Sequence, residues 1–169
     1  MDIAIIDSHN FNRHSLDNFS RYQTVKNVYR LTDGKLSLVY HPFTEDWSPE
    51  RKDEKAREIL SGGHIVYGAF DGGQVVGCIM LLPQPDRGRM IIDSFHVSAG
   101  RRRQGIGRAL LAAAKAEAVG HGAKALYVSA CSAQETIDFY MAMGFEVSPH
   151  PIRSYMDAEP YDIQMECVL

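Results

Sequence analysis

A basic, glycine-containing turn between a strand-like segment and an Ala/Leu-rich segment constrains the fold more than any other feature. The strand-like segment ends at Val97, the turn runs through residues 98–104, and Gly105 and Gly107 open the apolar segment that follows. Glycines at such a junction let backbone N–H groups approach an anion closely. The N-terminus of the following helix adds partial positive charge. This pattern is suited to binding a pyrophosphate.

The arginines of this turn, Arg102, Arg103 and Arg108, add formal charge and forked donors for phosphate oxygens. No Gly-Lys-Ser/Thr follows the glycines, which excludes a Walker loop. A dinucleotide-binding fold would place the motif after its first strand, whereas here at least three strands precede it. Two alternatives stay open: a helix N-terminus with solvated arginines, and a nucleic-acid patch, which the short run without interleaved aromatics disfavours.

Strand and helix patterns alternate on both sides of this turn. The N-terminal part predicts a strand, a polar helix or loop, two β-rich stretches around Asp33-Gly34 and a Ser-Pro-capped helix, at Ile3–Ile6, Asn10–Phe19, Tyr22–Tyr29, Lys35–Tyr40 and Ser48–Leu60. Further strands are predicted at His64–Phe70, Gln74–Leu82, Arg89–Val97, Ala125–Ala130, Phe145–Val147 and Asp162–Leu169. Helices are predicted at Gly105–Val119 and Ser132–Met143, the second with a capping box from Ser132 to Glu135. This order predicts an α/β (α+β) fold, a mixed sheet with helices on its faces.

Length and composition are those of one globular domain. The 169 residues are 45% hydrophobic and carry a formal net charge of −3, a balance without general attraction for nucleic acid or anionic lipid. No apolar run approaches the roughly 20 residues of a membrane helix, and Met1–Asp7 lacks the basic region of a signal peptide. Cys78, Cys131 and Cys167 have no zinc-ligand spacing. We expect a cytoplasmic protein without a metal, a nucleic-acid partner or a membrane partner.

Two segments resemble the signatures of one enzyme superfamily. Arg102-Arg103-Gln104-Gly105-Ile106-Gly107 resembles the R/Q-x-x-G-x-G/A motif of the GNAT N-acetyltransferases, and Ile91–Val97 looks like that family's fourth strand. Thr136–Phe145 resembles its second signature, which ends F-Y-x-x-x-G-F. The likeness covers about His64–Phe145, and the C-terminal segment 159–166 looks similar to a bacterial subgroup of unknown acceptor.

The resemblance implies a GNAT-type fold in one domain over residues 1–169. Its sheet would be mostly antiparallel, with six to seven strands splayed between the fourth and fifth and helices on both faces. Residues 1–62 would form the acceptor side, 63–145 the acyl-CoA core and 146–169 the C-terminal strands. A homodimer formed through the last strands is also suggested by the family.

The resemblance further implies acetyl-CoA as cosubstrate. The Arg102–Arg108 loop would hold the pyrophosphate, and the backbones of Phe95 and Val97 would pair with the pantetheine arm. The family often has an Asn near the start of the second signature, where this chain has Ala133, so Ser132 or Gln134 would have to substitute. The implied cosubstrate-binding residues are Phe95, His96, Val97, Arg102, Arg103, Gln104, Gly105, Ile106, Gly107, Arg108, Ser132, Thr136 and Phe139.

Tyr140 and Asp93 are the implied catalytic residues. Tyr140 would protonate the departing thiolate; the alternative is a core tyrosine packed with Phe139 and Met143, whose helical spacing is also that of a buried face. Asp93 would act as the base, because strand alternation puts it on the same face as Phe95. Its alternative role is a strand-end acid paired with an arginine such as Arg89.

His96 and Cys131 are weaker candidates for the chemistry. His96 has a suitable ordinary pKa but lies on the opposite face from Asp93 by strand alternation. Cys131 stands where a strand meets a helix N-terminus, which can activate a thiol, although a small buried filler is the simpler reading. Trp47, Tyr155 and Tyr161 are candidates for the walls of an acceptor pocket, or for core packing.

The function expected from these residues is transfer of an acetyl group to a primary amine of a small molecule, by direct attack in a ternary complex. The amine could belong to an antibiotic, an amino acid or a polyamine. Alternatives are acetylation of a protein or peptide amine, a non-catalytic acyl-CoA sensor, and a nucleotide-dependent oxidoreductase.

Overall fold

The computed structural model describes all 169 residues. The strands are β1 Asp2–Ile5, β2 Gln23–Thr32, β3 Lys35–Glu45, β4 Ile65–Asp71, β5 Gln74–Leu81, β6 Arg89–Val97, β7 Ala125–Ala130, β8 Glu146–Val147 and β9 Ile163–Val168. The helices are α1 Pro49–Leu60, α2 Ile106–Gly120, α3 Gln134–Ala142 and α4 Arg153–Ala158, with one 3-10 turn at Ala99–Arg101. None of the helices is long and apolar enough to cross a membrane.

Seven of the strands form one sheet in the order β1-β4-β5-β6-β7-β9-β8, and the predicted mixed architecture is confirmed. Every neighbouring pair is antiparallel except β6 and β7. The main core lies between one face and the helices α2 and α3, where Leu110 and Ile137 are fully buried. A second core lies on the other face, where Ala56 and Ile59 of α1 pack against the sheet.

Short-range signals position several of these elements. Asp33-Gly34 and Gly72-Gly73 all have positive φ, as tight hairpin turns require. Helix α1 begins after Ser48, whose side chain accepts a hydrogen bond from the Arg51 amide. The structure adds α4, which sequence patterns did not predict, and residues 10–19 form turns rather than a helix.

The sheet opens between β6 and β7, as the resemblance implied. Their pairing runs from Arg89 and Ala125 to the pair Ile92 and Val128 and then stops. Strand β6 nevertheless continues to Val97 and β7 to Ala130. The two strands therefore diverge into a gap whose vertex lies at the Ile92–Val128 pair.

A β-bulge at this vertex reverses the predicted side-chain alternation. Leu81 pairs with Ile92 and Met80 pairs with Ser94, so Asp93 is an extra residue without a partner on β5. Phe95 consequently packs towards α3, whereas the Asp93 carboxylate contacts His64 on the α1 side. The expectation that Asp93 shares a face with Phe95 and opposes His96 is wrong for this reason.

The hairpin of β2 and β3 is a separate two-stranded sheet that covers the junction between β7 and α3. The Tyr29 amide donates to the Ser132 carbonyl at 2.7 Å, and Val28 forms a bridge with Ala133. The predicted capping box is wrong, because α3 begins at Gln134 with no side-chain cap. The Ser132 hydroxyl is instead bonded to Arg30 of the hairpin.

Candidate active site

The loop between β6 and α2 is held by the segment Ser20-Arg21, which lies far from it in sequence. The Ala99 amide donates to the Ser20 carbonyl at 2.8 Å, and the Ser20 amide donates to the Ser98 hydroxyl at 3.0 Å. Nothing in the local sequence pattern indicates this contact. The loop conformation therefore depends on a tertiary bond and not only on its glycines.

Arg102 stabilises this loop through hydrogen bonds to two backbone carbonyls. Its guanidinium donates to the carbonyls of Val97 and Arg21 at 3.1 and 3.3 Å. Burial, together with the Arg21 charge, lowers the pKa of Arg102 below its ordinary value. Nη1 of Arg102 makes no hydrogen bond to the protein, so its contact with phosphate stays a prediction. Arg103 and Arg108 are exposed and make no side-chain hydrogen bond to the protein.

Six consecutive backbone N–H groups at the start of α2 have no acceptor within the protein. They belong to residues 103–108, and the first helical bond in this region runs from Ala109 to the Gly105 carbonyl. Arg103 and Gly105 adopt φ of 63° and 82°, which turns the peptide groups of the loop. A helix N-terminus with several free N–H groups is an anion site. Predicted residues Arg103, Gln104, Gly105, Ile106, Gly107 and Arg108 thus lie in one cradle.

Gly107 lies where any larger side chain would be tightly packed. A Cβ added there would lie 3.2 Å from the Phe139 ring and 3.7 Å from the Phe95 ring. The two rings meet edge to face at 5.6 Å between centroids. Phe95 and Phe139 therefore form the apolar floor between the cradle and the gap.

The edge of β6 beside the gap carries the backbones of Phe95 and Val97. The Ser98 amide donates to Val76 of β5 at 2.9 Å, so residues of even number bond to β5 and those of odd number face away. The backbone of His96 accordingly belongs to the β5 ladder. Its half-buried ring accepts a bond from Arg21 at 3.2 Å and meets Trp47 edge to face.

His96 is consequently a weaker candidate for the base than a carboxylate. Burial, with the positive charges of Arg21 and other basic residues, lowers the pKa of His96 to about 3. A pKa lowered in this way favours the neutral ring near pH 7, and the ring packs against Trp47 on the α1 side of the sheet.

Tyr140 lies on the opposite side, facing α2 and the Phe95 ring. It is 4% exposed, its ring contacts those of Phe139 and Phe145, and its hydroxyl makes no hydrogen bond to another protein group. Burial raises the pKa of Tyr140 well above its ordinary value. The phenol stays protonated and is available as a proton donor.

The first turn of α3 faces the β2–β3 hairpin with its polar groups. The Ser132 hydroxyl accepts from Arg30 at 3.0 Å, and the Gln134 side-chain oxygen accepts from Asn27 at 3.0 Å. Both side chains accept a bond from the hairpin, so only their donor groups remain to replace the Asn that the family often has nearby. Thr136 is half-buried and makes no side-chain hydrogen bond.

Asp93 is engaged at the vertex of the gap by a histidine. Its carboxylate lies 3.1 Å from His64 Nε2, and Glu58 places an oxygen in the same cluster. The predicted partner Arg89 instead contacts Asp86, Glu166 and the His150 carbonyl. Buried Lys55 is 2.7 Å from Glu58 and supplies a cation to this cluster, which therefore reads as an ion-pair network rather than a metal site.

Asp162 is a functional candidate that sequence reasoning missed. It lies just before β9, half-buried, and accepts from the Ser129 hydroxyl of β7 at 3.3 Å. Burial and the neighbouring charge of Glu159 raise the pKa of Asp162 to about 6. The period-two pattern of Asp162, Gln164 and Glu166 was the available signal, since it puts these polar groups on one face.

The aromatic wall candidates take different positions. Tyr155 lines a cavity of about 430 Å³ that also contacts Ile91 and Ile152. Trp47 packs between Phe19 and His96 at the second core, on the α1 side of the sheet. Tyr161 is exposed, with the Arg30 guanidinium over its ring.

Burial raises the pKa of the Cys131 thiol above its ordinary value and outweighs the backbone of Ala133 at the start of α3, which lowers it. A thiolate nucleophile at this position is therefore disfavoured. Cys131 is better explained as a small, partly buried side chain that fills space between its neighbours.

Comparisons with known proteins agree with this architecture. A family model described as acetyltransferase (GNAT) family matches residues 34–145, more than half of the chain. A search of curated proteins by sequence finds no match.

Three solved structures illustrate the structural likeness. A nourseothricin acetyltransferase has 18% identity and a TM-score of 0.73, with 99% of this chain and 97% of that chain covered. A protein described as a streptothricin acetyltransferase from Bacillus anthracis str. Ames, in complex with acetyl coenzyme A, has 18% identity, a TM-score of 0.73 and coverage of 100% and 99%. An aminoglycoside 6'-acetyltransferase type Ii has 20% identity, a TM-score of 0.64 and coverage of 99% and 97%. At these identities the likeness shows a shared fold.

Proposed function

Because the chain belongs to the acetyltransferase (GNAT) family, we propose that it transfers an acetyl group from acetyl-CoA to a primary amine of a small molecule. The observation that carries this proposal is the row of six free N–H groups at residues 103–108. A diphosphate suits this cradle, since several oxygens accept at once and the helix N-terminus adds positive charge. The exposed side chains of Arg103 and Arg108 add formal charge beside it.

The edge of β6 supports the placement of the thioester arm. Phe95 and Val97 direct their backbones into the gap, where no β7 partner faces them. The Val97 carbonyl already accepts from Arg102, which leaves the Val97 amide and the backbone of Phe95 for the arm. An extended chain with amide groups can add to such an edge as a further strand. The arm would then run from the cradle along β6 towards the vertex. Its thioester would lie in the gap between β6 and β7, accessible from both faces of the sheet.

The leaving sulfur would face Tyr140. The amine nitrogen attacks the thioester carbon, a C–N bond forms and the C–S bond breaks, with the electron pair passing to sulfur. Tyr140 lies behind the Phe95 ring on the α2–α3 side, and its buried phenol keeps the proton that a thiolate needs. Positioning of the two reactants supplies much of the remaining acceleration.

The acceptor amine would approach from the α1 side, where carboxylates surround the gap. Asp93 lies at the vertex beside His64, while Asp162 and Glu159 lie at the far end of β7. Carboxylates in a cleft attract a cationic amine. Asp93 remains a proposed base, although its carboxylate is shared with His64.

A small basic molecule is favoured as the acceptor over a protein. The similar structures named for nourseothricin, streptothricin and aminoglycoside acetylation cover almost the whole chain, and the carboxylates suit an acceptor with more than one ammonium group. A protein or peptide amine is the second candidate. A non-catalytic acyl-CoA sensor is the third, and it needs neither Tyr140 nor the carboxylates.

Two measurements test the proposal. Thermal-shift assays should show stabilisation by CoA and none by NAD(P), because ligands that bind the native state raise its stability. Thiol release from acetyl-CoA should then be followed across a panel of amines that includes polyamines and aminoglycosides. Absence of any CoA-dependent stabilisation would refute the assignment of the cradle.

Tyr140→Phe separates an enzyme from a sensor. Removing a general acid should lower kcat by about 100-fold, whereas CoA binding and the melting temperature should stay near wild type because the phenol makes no protein hydrogen bond. Equal turnover by both forms would show that Tyr140 is not the acid.

A further inference from the structure

A series of hydrogen bonds, each donated towards the next residue, crosses the face of β7 and β9 that is turned away from the main core. The series ends at Asp162. The Ile152 amide donates to the Tyr127 hydroxyl at 2.8 Å, which donates to Gln164 at 2.6 Å. The Gln164 amide donates to the Ser129 hydroxyl at 2.7 Å, and Ser129 donates to Asp162 at 3.3 Å. Every proton in the series is directed towards the carboxylate, so Asp162 is its terminal acceptor.

The strand register places this series of hydrogen bonds beside the gap. The last pair between β6 and β7 is Ile92 with Val128, so Ser129 is the first residue of β7 without a β6 partner. Ala130 pairs with Ile163, which puts Asp162 level with the end of β7. Ser129 therefore lies on the β7 wall of the gap, opposite β6, and Asp162, which precedes β9 on the other side of β7, reaches this wall through its bond from the Ser129 hydroxyl.

From these contacts we propose that Asp162 is the general base that takes a proton from the acceptor ammonium, with Ser129 as its positioning residue. The inference rests on the proposed acetyl transfer and assigns a residue to one of its steps. Asp93 is less suited, because its carboxylate lies 3.1 Å from His64 Nε2 and stands beside Glu58.

The groups that face Asp162 suit this role. Glu159 from the preceding turn and Glu45 from β3 repel its negative charge, and Ser129 is the donor that favours it. The Cys131 thiol stands nearby, where Asp162 and Glu45 oppose its ionisation. Arg21 is engaged with Glu45 at 3.0 Å. Burial with these charges raises the pKa of Asp162 to about 6, within the range of an effective base near neutrality.

The proton balance is complete with the two proposed residues. Asp162 takes one proton from the ammonium and passes it to solvent, which leaves a neutral amine to attack. The nitrogen loses its second proton as the C–S bond breaks, and this proton replaces the one that Tyr140 gives to the thiolate. The products are the acetamide, CoA thiol and one proton in solvent.

The first test is the pH dependence of thiol release with spermidine as acceptor. For the wild type, kcat/KM should rise with pH through about 6. Asp162→Asn should lower kcat by about 100-fold and abolish that rise, and Asp162→Glu should restore part of it. Asp157→Asn is the matched control, since this exposed carboxylate contacts only Arg153.

Substitutions at two neighbours of Asp162 should shift the pH at which kcat/KM rises, in opposite directions. Ser129→Ala removes the bond that favours the carboxylate, so the rise should shift to higher pH. Glu159→Gln removes a repelling charge, so it should shift to lower pH. A purely structural Asp162 would leave the position of the rise unchanged in both variants, which would overturn the inference.

A weakly basic acceptor separates base catalysis from folding damage. Methoxyamine is already neutral at the assay pH, so the Asp162→Asn defect should be much smaller with it than with spermidine. An equal defect with both amines would refute the role of Asp162. Loss of the pH-dependent rise in Asp93→Asn but not in Asp162→Asn would assign the base to Asp93. If the wild type acetylates no amine, the proposed function itself fails.

Discussion

Gly105→Ala perturbs the anion cradle through backbone conformation alone. Gly105 is the N-cap of α2 with φ 82° and ψ −5°, and a Cβ there would meet no atom within 4 Å. The substitution therefore introduces no clash with another residue. Its cost is the left-handed conformation itself, about 1–2 kcal/mol for a residue with a Cβ, offset by about 0.4–1 kcal/mol because alanine restricts the unfolded chain.

The expected net destabilisation is about 1 kcal/mol, which lowers the melting temperature by roughly 2–4 °C in a domain of this size. If the loop relaxes instead to negative φ, the N–H groups of residues 103–108 lose their alignment. A hydrogen bond to a charged group contributes about 1.5–3 kcal/mol, so losing one should weaken CoA binding by roughly 10- to 100-fold.

Calorimetric titration with CoA and a thermal melt measure both quantities on the same sample. Gly100→Ala is the matched control, since Gly100 lies in the same loop with open space around its Cβ position and without positive φ. Gly105→Asn should fall between alanine and wild type, because asparagine tolerates the left-handed region. Unchanged melting temperature and CoA affinity in Gly105→Ala would refute the assigned geometry.

Three further substitutions or titrations test separate parts of the structure. Ser48→Ala should destabilise the protein by about 1 kcal/mol, because the α1 N-cap loses its bond to the Arg51 amide, and thermal denaturation measures this. Asp162→Asn should raise the melting temperature above pH 6 and have little effect near pH 4. The folded pKa of about 6 exceeds the reference value of 3.8, so charging this carboxylate costs stability, on the order of 1–2 kcal/mol after allowance for its partial exposure. His96 should show no titration by NMR between pH 5 and 8, since its pKa is lowered to about 3; a midpoint in that range would contradict its neutral state.

Interactions within a few residues made much of the fold predictable. The Asp33-Gly34 and Gly72-Gly73 turns, the Ser48 cap and the glycines of the cradle each act through their own φ, ψ or nearest amides. Alternation and helical spacing likewise predicted β6, β7 and α2 to within a residue of their bounds. The cradle could be located because its conformation is encoded at consecutive positions.

The side chains around the gap depended on distant partners instead. Arg102 is turned to the loop by the Arg21 carbonyl, and Ser132 is drawn from capping α3 by Arg30 of a hairpin 102 residues away. Asp162 reaches Ser129, beside the gap, only because β9 pairs with β7 in one register. No local pattern contains these contacts.

One residue illustrates the division between local sequence and tertiary structure. Strand periodicity alone put Asp93 with Phe95, but the bulge between the pairs of Leu81 and Met80 inserts one residue and exchanges the faces. A period of two converts any one-residue slip into a change of side. The sequence by itself thus determined most of the elements and the loop with free N–H groups, and only the pairing of distant strands decided which side chains lie around the gap.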